Sequence, residues 1–142
     1  MPRAHRLAPV VAAKRAAAQA QLAACLARQA HLRAQAADLL RTARSAPPGD
    51  DAADMALTAR WQDTLRRAAL SLRSEAAGLD RDAAAFRVVL ARALGREQAV
   101  NTLVKSERRQ ALRHAERRAE DRVCPAGDFR AALTGADVNP GD

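Results

Sequence analysis

Leu65, Leu72, Leu79, Phe86, Ala93 and Val100 recur every seven residues, and this ladder constrains the fold more than any other feature of the chain. Ala69, Ala76, Ala83, Leu90 and Val104 follow members of the ladder by four residues and Ala111 extends that second row by seven, which completes the alternating spacing of a coiled-coil seam. Glu97 is the one charged residue that falls on it between Leu65 and Val104. The stretch from about residue 54 to 123 contains no proline, so the pattern predicts one long helix. Gly78 and Gly95 weaken that helix by about 1 kcal/mol each relative to alanine. A break at Gly95 would give a three-helix bundle instead, but the ladder passes both glycines without losing phase.

An earlier stretch, about residues 8–45, has no glycine and, after Pro9, no proline. Alanine, leucine, glutamine and arginine dominate it, and these are strong helix formers. Val11, Ala18, Cys25, Leu32 and Leu39 mark its seam, interleaved with Leu22, Ala36 and Ala43. Pro47-Pro48-Gly49 then stops the helix and allows a reversal over residues 46–53. Asp50, Asp51 and Asp54 suit the positive end of the next helix. The expected fold class is therefore all-α: an elongated antiparallel two-helix coiled-coil hairpin forming one domain over residues 1–123. With the turn centred near Gly49, paired positions should sum to roughly 100, setting Leu39 beside Trp61 and Leu22 beside Leu79. Trp61 is then expected to cap the hairpin core against Leu39 and Leu40. Residues 124–142, with their glycines and prolines, are expected to form a flexible tail.

Composition narrows function. Of 142 residues, 38 are alanine and 22 arginine, and there is no tyrosine, one tryptophan and two phenylalanines. Such a chain buries narrow stripes rather than enclosing a water-free pocket, so no enzymatic activity, cofactor or small-molecule substrate is expected. His114-Ala115-Glu116 followed by Cys124-Pro125 imitates part of a zinc-deaminase signature. Proline follows the cysteine and no second cysteine stands nearby, so no metal site is expected. The apolar run Leu7 to Ala13 is too short to span a membrane, and a cytoplasmic, non-inserted protein is expected.

The net charge is +8, and no acidic residue precedes Asp38. Two readings follow from that charge alone: a basic helical nucleic-acid-binding architectural protein, or electrostatic docking on acidic protein. The stretch Arg96 to Arg122 mixes both signs, includes a possible Arg117 and Asp121 pair, and has no interleaved aromatics, so nucleic acid is not the expected partner. Leu40, Leu57, Leu70, Val88, Leu94 and Leu112 fall off the seam. That excess over what a free two-helix hairpin needs points to a protein partner, or to a self-associating coiled-coil scaffold.

The weak first seam, the short break, the Arg60-Trp61 pair opening a longer helix, then Ala91-Arg92, Leu103 and the charged run Glu107 to Arg122 form a pattern. Over residues 7–123 it resembles the coiled-coil stalk protein family of the flagellar and type III export apparatus. The resemblance implies a stalk or adaptor whose terminal end enters a hexameric export ATPase ring, whose other face meets the cytoplasmic part of an export-gate membrane protein, and which cycles export chaperones. It implies that Val11, Phe86, Leu90, Arg108, Arg109, Arg113, Arg117 and Arg118 engage the ring. Leu32, Leu39, Trp61, Leu65 and Leu72 would then face the gate, with the protein held peripherally at a membrane-embedded apparatus.

Overall fold

The computed structural model describes residues 3–123; the expected flexible tail, with Cys124, lies outside the described residues. Two helices, α1 (Arg3–Arg44) and α2 (Ala52–Val123), pack together as a hairpin. Their contacts cluster into two compact units, one made of Val10–Glu97 and the other of the residues up to Pro9 with those from Gln98 onward. Among the described residues no helix is long and apolar enough to cross a membrane.

α1 begins earlier than expected, at Arg3, and carries Pro9 inside it. Proline removes one helical donor there. The turns before it are held by burial, since Ala4 is buried and Ala8 half-buried in the second unit. α2 runs unbroken through Gly78 and Gly95, which excludes the three-helix alternative. Both glycines are exposed, off the seam and free of positive φ, with open space where a Cβ would stand.

Within Val10–Glu97 the seam repeats in steps of three and four. On α1 it reads Val11, Arg15, Ala18, Leu22, Cys25, Gln29, Leu32, Ala36, Leu39 and Ala43, all buried or half-buried. On α2 it begins at Thr58 and Gln62 and continues from Leu65 to Glu97. The smallest residues are the deepest: Ala36, Ala43, Ala69, Ala76 and Ala83 are at most 1% exposed, while Leu65, Leu72, Leu79, Phe86 and Leu90 are half-buried. Alanine lets the backbones approach closely, and the longer side chains splay along the margins of the contact.

The pairing is shifted from the expected one. Gln62 Nε2 donates to the Ala43 carbonyl at 2.9 Å, Gln29 Nε2 to that of Ala76 at 3.0 Å, and the Cys25 thiol to that of Leu79 at 3.7 Å. These pairs add to 104 or 105, so Leu39 lies level with Leu65 rather than Trp61. The connection explains the offset. Asp51 caps α2, its carboxylate accepting the Asp54 N–H at 2.7 Å while its carbonyl accepts that of Met55 at 2.9 Å. Pro47, Pro48 and Gly49 then lie along the first turns of α2, facing Met55, Thr58 and Gln62. α2 thus starts beyond the end of α1, and the chain folds back over it. A Cβ on Gly49 would collide with the Asp54 and Met55 backbone, which is why glycine stands there.

Two substitutions probe this packing in opposite directions. Ala76→Leu should lower stability by about 1–3 kcal/mol, because added methylenes have no room between close backbones. Gly95→Ala should raise it by about 0.5–1 kcal/mol, since a helical, uncrowded glycine gains only entropy from the change. Urea denaturation followed by circular dichroism reads both.

Candidate functional site

The residues that the sequence singles out separate into three groups. Leu32 is buried and Leu39, Leu65, Leu72, Phe86 and Leu90 are half-buried, all at seam positions, so the hairpin itself occupies them. Val11 behaves in the same way.

Trp61 does not cap the core as expected. It is 45% exposed and borders an open groove with Ala46, Pro47, Leu57 and Thr58. Trp61 stands one residue before the seam position Gln62, and the shifted pairing carries it past the level of Leu39 to the side of the turn.

Arg108, Arg109, Arg113, Arg117 and Arg118 are all exposed, and so is every residue of α2 after Glu107. Within this unit Arg118 Nε donates to the His114 carbonyl at 3.3 Å, one turn back. The expected Arg117 and Asp121 pair does not form; the ion pairs among the described residues lie elsewhere. The apolar seam runs out beside this stretch, where His5, Val104, Glu107, Arg108 and Ala111 line an open groove and one Glu107 carboxylate oxygen is buried without a hydrogen-bond partner. Beyond the seam this stretch of α2 presents its guanidinium groups to solvent among the described residues.

Two polar seam residues were not recognised from sequence. Arg15 stands four residues after Val11, where Nε lies 2.8 Å from Glu97 Oε2, a charge contact rather than an aligned hydrogen bond. It accounts for the carboxylate on the α2 ladder within Val10–Glu97. Gln29 stands four residues after Cys25 and is 4% exposed, donating to the Ala76 carbonyl and to the Asp80 carboxylate. Arg33 adds its guanidinium to Asp80 at 3.6 Å. The signal was the spacing itself, which marks both positions as inward whatever residue fills them.

Leu57, Leu70, Val88, Leu94 and Leu112 are exposed, as expected for residues off the seam, and Leu40 is half-buried. Among the described residues no cluster of histidine, cysteine and carboxylates could hold a metal ion. No protein-family model, curated protein or solved structure matches the chain.

The Arg15 and Glu97 pair, about one-third and one-fifth exposed, lends itself to a double-mutant test. Glu97→Leu alone should destabilise by about 1–2 kcal/mol, less than for a fully buried pair, because it leaves a half-buried cation alone. Adding Arg15→Leu should restore wild-type stability or exceed it, read by thermal unfolding.

Proposed function

We propose that this chain is a non-enzymatic stalk or adaptor of a flagellar-type protein export apparatus. It binds a hexameric export ATPase ring, joins it to the cytoplasmic part of the export gate, and exchanges export chaperones. It works in the cytoplasm, peripherally at the membrane-embedded apparatus. The observation that supports this reading is the end of α2, where residues 108–123 are exposed throughout and hold six arginines. A helix that outlasts its own seam presents a charged surface to a protein cavity without unpacking the hairpin.

The seam leucines contribute to this role indirectly, by keeping the hairpin closed. Direct contact falls to Arg108, Arg109, Arg113, Arg117 and Arg118 at one end and to Trp61 at the other. Trp61 is suited to it, because a half-exposed indole beside Leu57 is an apolar anchor of the kind that dominates protein contacts.

The test is affinity capture of the tagged chain from its own cells with nuclease present, followed by direct binding to the recovered ATPase. Capture should return a hexameric ATPase and export-gate components. Replacing the five arginines by glutamate should weaken binding to the ring by roughly tenfold or more, with helicity unchanged, since these charges are exposed. Unchanged ring binding removes the assignment of the arginines. Retention of duplex DNA at physiological salt, with no ATPase, favours the architectural reading instead.

A further inference from the structure

Charge within Val10–Glu97 is unevenly neutralised. Nine of its fourteen cations form no ion pair, against four such carboxylates, three of which lie at the turn. The imbalance sits mainly on one edge of the hairpin. Arg33 meets Asp80 at 3.6 Å, which sets the seven-spaced row Leu26, Arg33, Leu40 of α1 beside the row Arg66, Arg73, Asp80, Arg87, Leu94 of α2. This edge carries four arginines and one carboxylate, and that carboxylate is already engaged by Arg33 and Gln29. On the opposite edge Arg28 meets Glu75 at 3.0 Å, and Lys14, Arg28 and Arg96 stand against Glu75 and Asp82, an excess of one cation rather than three.

The cationic edge is also partly apolar. Leu26 is 37% and Leu94 41% exposed, Leu40 is half-buried, and Arg33, Arg73, Ala77 and Asp80 line a shallow open groove between the helices. We propose that this edge is a docking site for an acidic amphipathic helix of another protein. Its apolar stripe would lie on Leu26, Leu40 and Leu94, and carboxylates flanking the stripe would meet Arg66, Arg73 and Arg87.

Charge complementarity selects this occupant. A second copy brought edge to edge would oppose arginine with arginine, because a two-fold contact pairs a surface with itself. A nucleic-acid backbone would satisfy the arginines but leave the leucines without an apolar counterpart. An acidic helix with a leucine stripe satisfies both, in the manner of flanking charges in coiled-coil pairing. The site is separate from the terminal arginines of α2 and does not rest on the export reading.

The experiment uses the full chain and a synthetic helix of about four heptads with leucine at a and d and glutamate at e and g. The same peptide with lysine at e and g, and duplex DNA of similar length, serve as controls. Binding is followed by fluorescence polarisation at physiological salt. The glutamate peptide should bind at least roughly tenfold more tightly than either control. Arg66→Glu, Arg73→Glu and Arg87→Glu together should reduce that binding by about tenfold or more, while Arg60→Glu, Arg81→Glu and Arg92→Glu, equal in charge but off this edge, should change it less than about twofold. Circular dichroism confirms that both triple variants keep their helicity. Equal losses from the two triples, tighter binding of DNA, or no saturable binding of the glutamate peptide each overturn the proposal.

Discussion

Close approach of the two helices at alanine is the constraint from which the rest follows. Ala36, Ala43, Ala69, Ala76 and Ala83 are essentially sealed, yet no large side chain is completely buried among the described residues. A buried leucine contributes about 1.5–3 kcal/mol, and an alanine methyl much less. The hairpin therefore gains its stability from length and from the half-covered leucines beside the alanine rows. A contact this narrow also brings every residue one step off the seam to an edge, where it remains open to solvent. Leu26, Leu70 and Leu94 are exposed for that reason.

Small seam residues bond weakly and discriminate poorly, because one alanine opposite another looks much like the next pair along. A seven-residue slip would preserve the apolar pattern. Polar residues in the seam remove that freedom. Gln29 finds both the Ala76 carbonyl and Asp80 in only one pairing, and Arg15 finds Glu97 in the same one. A buried polar group that is satisfied in one alignment and stranded in the others specifies alignment at some cost in stability, as polar residues at the a positions of coiled coils do.

The fold class was legible because a strict heptad ladder tolerates few alternatives: both helices, the turn and the continuity of α2 through Gly95 follow from it. Pairing was not legible. It depends on how the Ser45–Asp51 connection lies against α2, and a proline-glycine sequence announces a reversal without fixing its path. This gap, with the place of Trp61 one residue off the seam, explains its misplacement beside Leu39, since its neighbours are Pro47 and Leu57. The start of α1 was missed for a different reason, because Pro9 reads locally as a stop while the burial of Ala4 overrides it. Among the candidate residues, the exposure of the terminal arginines was foreseeable from the end of the seam. The polar clamps were hidden because attention to apolar residues passes over Arg15 and Gln29 at positions that spacing alone marks as inward.

Pairing also decides how charge is distributed. The helices contribute their cations unevenly, α1 having only Asp38 as an acidic residue, so α2 must supply nearly all the carboxylates that neutralise it. The observed alignment sends Glu75 to Arg28, Asp80 to Arg33 and Glu97 to Arg15. It leaves Arg66, Arg73 and Arg87 without an ion pair among the described residues. These exposed guanidinium groups repel one another only modestly in water, since salt screens them over about 8 Å. Their cost to the isolated hairpin is accordingly small, while their attraction for an acidic surface grows once that surface excludes water from the groove. An edge of this kind barely disturbs the fold that carries it and still discriminates by sign.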